Sequence, residues 1–186
     1  MEQLLAISPI DGRYNSKTNV IQKYFSEYGL NKYRIKTELH YFSFLTTLNI
    51  ELSNYMNHDL DTLINNMINN FSIKACSKIK EIEKTTNHDV KAVEYYIRDV
   101  FIKNNFKNVV SWIHFGLTSQ DVNTTSVVLS LKEFIKNEYL PKINSLNSLL
   151  FEKRQQWLDK RMLSHTHGQP ATPTTMGKEF MVFFYR

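Results

Sequence analysis

The sequence is poor in the residues that interrupt helices or cross-link a chain. Its 186 residues include 5 glycines, 4 prolines and a single cysteine, Cys76. Few glycines and prolines mean few obligatory turns, which favours long helices over many short strands. One cysteine excludes an internal disulfide framework and fits a reducing compartment, so we expect a cytoplasmic protein. Cys76 lies in a helical pattern, where a lone cysteine usually acts as a small buried hydrophobe.

Long apolar runs are also missing. No stretch approaches the ~20 residues that span a bilayer, and the N-terminal MEQLLAISPID lacks the basic start and apolar run of a secretory signal. We therefore expect no membrane partner. A net charge of +5 raises the question of nucleic-acid binding. The basic residues are scattered and most acidic residues lie close to one, however, which indicates a solvated surface with a mild preference for anions. We expect no nucleic-acid partner.

What the sequence does contain is helical periodicity. Apolar Ile35, Leu39, Phe42 and Leu45 recur at spacings of three and four, which predicts a helix over about 26–47. The same reasoning predicts helices over 59–69, from 73 onward behind a Ser72 cap, over 90–103 and 118–137, beyond Pro141, and from Thr174 or Thr175 onward. The fold class is therefore all-α, in a chain long enough to bury a real core.

Polar clusters interrupt this periodicity at three places, which are Thr85–Asp89, Thr118–Asn123 and Ser164–Thr172. Each cluster falls at a predicted helix end, where free backbone N–H groups can bind a carboxylate or a phosphate. Neighbouring hydroxyls and amides would orient such an anion. The same residue types also serve as plain helix caps, and for any one cluster that interpretation is the more frequent one.

Two histidines lie inside these clusters, His88 and His167. Histidine titrates close to neutrality and therefore suits proton transfer. His40, His58 and His114 lie instead in helical, surface or apolar patterns, where a structural role is the expectation.

His165 and His167 could form half of a metal site, but no cysteine pair or HExxH pattern supplies the remaining ligands. We expect no metal. A G-x-S-x-G elbow, a Walker loop and a dinucleotide fingerprint are also missing from the sequence. Residue chemistry alone thus indicates a helical protein with histidine-bearing loops for a small anionic molecule, and it leaves the reaction open.

Four segments of the chain resemble the adenylosuccinate lyase family of the fumarase/aspartase superfamily, in order and in spacing. They are SPIDGRY (8–14), TTNHDVKAVEYY (85–96), HFGLTSQDVN (114–123) and SHTHGQPATPTTMGKE (164–179). The resemblance implies a helical N-terminal domain over residues 1–111 and the start of a long-helix bundle domain over 112–186. It also implies a homotetramer that needs no cofactor and eliminates fumarate in purine biosynthesis. The substrates would be adenylosuccinate, which gives AMP, and the succinylated aminoimidazole carboxamide ribotide.

The resemblance also implies roles for individual residues. His167 matches the general acid that protonates the leaving nitrogen, and Thr166 lines the same pocket. Thr118 and Ser119 match the pair that holds a carboxylate of the succinyl group. The remaining matches are a substrate-binding triplet, Asn87, His88 and Asp89, in which His88 orients or assists proton transfer, and two nucleotide-side contacts, Arg13 and Tyr14. No chemistry is assigned to His165.

One family element is absent from these residues, the mobile loop GSSxMPxKxNP whose serine acts as the general base. Most of the family's central bundle is absent as well. We therefore expect an N-terminal fragment that is inactive by itself. Two alternatives stay open: another lyase of the superfamily, acting on argininosuccinate or a related succinyl adduct, and a folded fragment with no catalytic role.

Overall fold

The computed structural model describes residues 3–186. Contacts divide the chain into two compact units, of which the first ends at Lys132 and the second comprises Glu133–Arg186. The domain boundary that we predict near residue 111 stays a prediction, and residues 1 and 2 of that domain lie outside the described residues.

The described part of the first unit is built from helices. A 3₁₀ turn, Gln3–Leu5, is followed by α1 (Asn15–Thr18), a second 3₁₀ turn (Asn19–Ile21), α2 (Gln22–Phe25) and the long α3 (Glu27–Leu48). Then come α4 (Ile50–Ser53), α5 (His58–Asn69), α6 (Ile73–Thr86), α7 (Asp89–Lys103), a third 3₁₀ segment (Lys107–Trp112) and α8 (Ser119–Phe134), whose last two residues already belong to the second unit. The helices predicted over 26–47, 59–69 and 90–103 are confirmed to within a residue at each end.

The helix starts follow from short polar caps. The Ser26 hydroxyl accepts the Gly29 N–H at 3.2 Å and begins α3. The predicted Ser72 cap is confirmed, because its hydroxyl accepts the Ala75 N–H at 3.2 Å. Such caps satisfy N–H groups that have no partner within the helix.

The core of the first unit forms around α3. Its apolar stripe, Ile35, Leu39 and Phe42, is essentially fully buried and packs against side chains of α5, α6 and α7. Phe42 meets Phe101 edge to face, with ring centroids 5.4 Å apart. This packing fixes α3 and α7 as the frame on which the polar clusters of the first unit are held.

A widened helical turn follows α8 near the start of the second unit. The π-helical segment Ile135–Tyr139 precedes α9 (Leu140–Gln156), and Pro141 lies in the first turn of α9. Proline lacks an N–H and crowds the carbonyl four residues before it, here that of Asn137, and a π turn accommodates both effects. The helix that we predict to continue to Asn137 therefore ends as α8 at Phe134. Pro141 acts as an early residue of the next helix, one of the two outcomes predicted for it.

The segment SHTHGQPATP is a hairpin, which corrects the loop expected from the sequence. Strand β1 (Arg161–Thr166) pairs antiparallel with β2 (Gln169–Thr175), and α10 (Met176–Tyr185) begins behind Thr175, whose hydroxyl caps it. The register shifts between Leu163 and His165. Prolines at 170 and 173 donate no ladder hydrogen bonds, which suits this irregularity. Because residues 3–186 are mostly helical and contain just this small sheet, the all-α class is confirmed.

No helix among residues 3–186 combines the length and the apolar character that crossing a bilayer requires.

Candidate active site

His88 is held at the junction of α6 and α7. Asn87 ends α6 in the left-handed conformation, with φ 50°, and His88 returns to extended backbone as the cap of α7. The Nδ1 atom of His88 accepts the Lys91 N–H at 3.2 Å. Because Nδ1 is an acceptor, the neutral ring carries its proton on Nε2.

The structure brings two of the sequence-predicted clusters together at this histidine. The Nε2 atom of His88 lies 3.3 Å from Oγ of Ser119, the first residue of α8. With the tautomer that the cap imposes, Nε2–H donates to the Ser119 hydroxyl. An exposed imidazole and a hydroxyl therefore face each other at the N-terminus of a 16-residue helix, where the helix dipole favours negative charge.

Thr118 is engaged with its own helix. Its N–H and its hydroxyl both donate to Oδ2 of Asp121, at 2.7 and 2.8 Å. The Thr118 N–H, joined by the hydroxyl, holds the pKa of Asp121 below its ordinary value. The capping role predicted for the Thr118–Asp121 segment is thus present, and within the first unit the Ser119 hydroxyl is the one that faces His88.

Asp89 turns inward, toward a buried arginine that the sequence reasoning missed. Its Oδ1 accepts the Val90 N–H at 2.8 Å, and its Oδ2 pairs with Nη2 of Arg34 on α3. Burial raises the pKa of Asp89, but the Val90 N–H and the Arg34 guanidinium outweigh it, so the pKa lies below its ordinary value. Nε of Arg34 also donates to Oδ1 of Asn123 on α8 at 2.9 Å.

A second pair that the sequence reasoning missed lies close by. Nδ1 of His114 is 2.6 Å from Oε1 of Glu38, whose side chain is fully buried. Burial raises the pKa of Glu38, and the hydrogen bond from His114 opposes that effect only in part. Oε2 of Glu38 has no hydrogen-bond partner among the described residues. His114 itself adopts a left-handed backbone, with φ 62°. The structural role expected for His114 takes the form of this hydrogen-bonded contact with Glu38.

One signal in the sequence could have revealed these residues. Arg34, Thr37 and Glu38 are polar residues at helical spacing inside a helix whose other face is apolar, and all three are buried. Charged residues are almost never fully buried unless they are paired. A polar stripe beside an apolar one on a long helix therefore indicates buried partners elsewhere in the chain.

Arg13 and Tyr14 lie side by side at the start of α1. The guanidinium carbon of Arg13 is 5.5 Å from the centroid of the Tyr14 ring, and both side chains are exposed. A guanidinium supported in this way is a suitable donor to a phosphate.

His167 and Thr166 belong to the second unit. His167 and Gly168 are the two residues that connect β1 and β2, with φ values of 51° and 76°. A two-residue hairpin turn of type I′ needs positive φ at both positions, which glycine and asparagine adopt most easily. Histidine at such a position is strained, and strain of this kind concentrates at functional sites. The turn leaves the His167 imidazole exposed.

Among residues 3–186, no three His, Cys, Asp or Glu side chains come together in an arrangement that could hold a metal ion.

Comparisons with known proteins identify similar chains. Adenylosuccinate lyase from Dictyostelium discoideum is 46% identical to the chain, which matches over its whole length, and that from Legionella pneumophila (strain Corby) is 44% identical over 98% of it. Adenylosuccinate lyase from Escherichia coli (strain K12) is 38% identical over the whole chain. The chain spans about 41% of the length of these relatives.

Solved structures share the fold at much lower identity. The β-carboxy-cis,cis-muconate cycloisomerase of Acinetobacter calcoaceticus superposes with a TM-score of 0.66 at 15% identity, over 90% of this chain and 37% of that one. The 3-carboxy-cis,cis-muconate lactonizing enzyme of Pseudomonas putida gives 0.63 at 18% identity, over 89% and 36%. A family model described as lyase matches residues 12–185. The chain therefore belongs to this lyase family.

Proposed function

We propose that the protein carrying this sequence is an adenylosuccinate lyase. The observation that carries the proposal is the similarity of the whole chain to adenylosuccinate lyases, at 46% identity in the nearest example given above. The reaction would be elimination of fumarate from adenylosuccinate to leave AMP, and from the succinylated aminoimidazole carboxamide ribotide in purine biosynthesis.

The residues of the first unit suit the substrate side of this reaction. Elimination begins when a base removes a weakly acidic proton beside a carboxylate, and negative charge then builds on that carboxylate. Fixed donors lower the barrier because they need no reorganisation when the charge appears. The Ser119 hydroxyl and the N-terminus of α8 supply such donors, and His88 is oriented toward them by its contact with Lys91 N–H. Thr118 would join them by exchanging its Asp121 contact for the substrate.

The turn of the hairpin suits the other half of the reaction. Loss of the amine requires an acid that protonates the leaving nitrogen, and an exposed imidazole can supply that proton near neutral pH. We assign this step to His167, with Thr166 beside it. Arg13 and Tyr14 would bind the nucleotide phosphate.

Asn87 and Asp89 fit positioning better than direct binding. Asn87 supplies the left-handed turn that presents His88. Both carboxylate oxygens of Asp89 already accept hydrogen bonds, from Val90 and Arg34. Asp89 would therefore act on the substrate indirectly, through His88, the residue that directly precedes it.

The whole-protein properties are part of the same proposal. We expect a cytoplasmic homotetramer that acts on a small molecule without a cofactor, and we expect a preparation limited to these 186 residues to be inactive. The serine-bearing GSSxMPxKxNP loop of the family is not part of this sequence, so the general base would have to come from elsewhere in a longer protein.

The activity is tested by mixing adenylosuccinate with two preparations, the chain as given and the longest natural protein that contains it. Ultraviolet absorbance follows loss of the substituted purine. Turnover by the longer protein alone supports the proposal. Cleavage of argininosuccinate with adenylosuccinate left intact would contradict it and favour another lyase of the superfamily. No turnover of either substrate by the longer protein would favour a non-catalytic role.

The role of His167 is tested in the active protein by His167→Ala, with His165→Ala as the matched control on the same hairpin. Loss of a general acid costs at least about 10²-fold in kcat, whereas His165→Ala should stay near wild type. A wild-type kcat for His167→Ala would remove His167 from the mechanism.

A further inference from the structure

The two side chains that face each other in the first unit are joined to each other only weakly. His88 and Ser119 lie at the beginnings of α7 and α8, and their contact is 3.3 Å long between exposed or half-buried groups. A hydrogen bond of this length, with water available as a competitor, contributes little to fixing two helices. Something else must set the separation of the imidazole and the hydroxyl.

Arg34 makes the stronger connection. It lies on α3, its side chain is only 4% exposed, and it donates to Asp89 on α7 and to Asn123 on α8. Asp89 directly follows His88. Asn123 lies four residues after Ser119, which is about one helical turn.

The shape of the guanidinium matters for this arrangement. Its donors lie in one rigid plane, so the two acceptors are held at a fixed separation and a fixed angle. A lysine at the same position would keep the charge but not the planar fork. Burial of the Arg34 side chain, which is 4% exposed, limits the water that can compete at the guanidinium end of both contacts.

We propose that Arg34 is a positioning residue for the site that His88 and Ser119 form for a substrate carboxylate. By holding Asp89 and Asn123 in one plane, it sets the distance between His88 and Ser119. The inference rests on the proposed function for its kinetic consequence only. Arg34 acts through these two neighbours and is not itself a contact of the substrate.

The first test compares Arg34→Lys with Arg98→Lys in the longest natural protein that contains this sequence. Arg98 is a suitable control because it also pairs with a carboxylate, Glu94, at 3.0 Å on the same helix α7. Arg34→Lys should raise KM for adenylosuccinate and lower kcat/KM by about 10²-fold, the cost of a small misplacement in an active site. Arg98→Lys should leave both constants near wild type. The folded fraction is measured in parallel by circular dichroism.

Two kinetic results would overturn the proposal. One is a wild-type KM and kcat per folded molecule in Arg34→Lys. The other is a fall in kcat that follows the folded fraction while KM stays unchanged, since that marks a purely structural residue. If Arg34→Lys does not fold, Asn123→Ala replaces it, because this change frees only the α8 side. It should raise KM for adenylosuccinate, and an unchanged KM would count against the proposal.

A second measurement is independent of catalysis. The Lys91 N–H is bonded to Nδ1 of His88, so its hydrogen exchange reports whether the histidine is held. Exchange at Lys91 should be faster in Arg34→Lys and unchanged in Asn123→Ala. If the wild-type protein cleaves no adenylosuccinate, the proposed function fails, while this exchange still decides the geometric role of Arg34. Unchanged exchange in Arg34→Lys would refute that role even in an active enzyme.

Discussion

The variant His114→Ala isolates a buried carboxyl group, that of Glu38. In the wild-type chain, Nδ1 of His114 lies 2.6 Å from Oε1 of Glu38, and the Glu38 side chain is fully buried. Burial raises the pKa of Glu38, His114 lowers it, and the nearby Glu94 raises it further. Removing the imidazole leaves burial and Glu94 unopposed.

The size and the sign of the effect follow from this arrangement. Removing one partner of a buried pair costs on the order of 3 kcal/mol in the free energy of unfolding. With its pKa raised in the folded state, Glu38 binds a proton more tightly folded than unfolded. Stability contributed by this group is therefore present below its ordinary pKa, 4.5, and is lost as the pH rises toward the folded value. The penalty of His114→Ala should therefore be larger well above the ordinary pKa of 4.5 than close to it, which a comparison of about pH 5 with about pH 8 measures.

Urea unfolding followed by circular dichroism at those two pH values measures the penalty. Glu38→Gln supplies the matched background, because it removes the titrating group and keeps an acceptor for His114. In that background, His114→Ala should cost less and should lose its pH dependence. The reasoning is refuted if the penalty is the same at both pH values, or the same with and without Glu38.

Three further changes test the frame around the site by the same unfolding measurement. Gly29→Ala should cost about 1–3 kcal/mol through overpacking, because a Cβ there would lie 2.7 Å from the backbone carbon of Tyr24; no loss would contradict this packing. Ser72→Ala should cost about 1 kcal/mol by removing the cap of α6, and an unchanged midpoint would show that the cap contributes nothing. Asp89 has a lowered pKa, so its stabilisation is present above its ordinary value and is lost as the pH falls through the folded one. Asp89→Asn should therefore flatten the acid limb of the stability curve, and an unaltered limb would exclude the Arg34 pair as its cause.

The helices could be predicted from the sequence because local signals, apolar spacing and helix caps, agree with the burial that the structure shows. Apolar spacing located α3, α5 and α7, and Ser72 located the start of α6. The hairpin over 161–175 could not be predicted in this way. Its strands contain Ser, Thr and Pro in place of alternating apolar residues, and a His-Gly turn is a weaker signal than Asn-Gly.

The residues of the candidate site could likewise be predicted only in part. His88 and Ser119 could be singled out because they interrupt apolar periodicity at helix ends. Their mutual contact could not, since it joins positions 31 residues apart and depends on how α7 and α8 are packed. Arg34 and Glu38 are predictable only together, from the polar stripe of α3, because each alone looks like an ordinary surface residue of a helix.

The polar stripe of α3 explains why that packing has one solution. Arg34 reaches Asp89 and Asn123, Thr37 meets the hydroxyl of Ser126 at 3.0 Å, and Glu38 meets His114. Apolar contacts between helices can be made at several registers at similar cost, whereas a buried polar group is satisfied only where its partner lies. A slide of α8 along α3 would cost the Arg34 guanidinium its contact with Asn123 and would separate the Thr37 hydroxyl from that of Ser126 at the same time. The stripe therefore selects the register that places Ser119 opposite His88, and a fully apolar α3 would not.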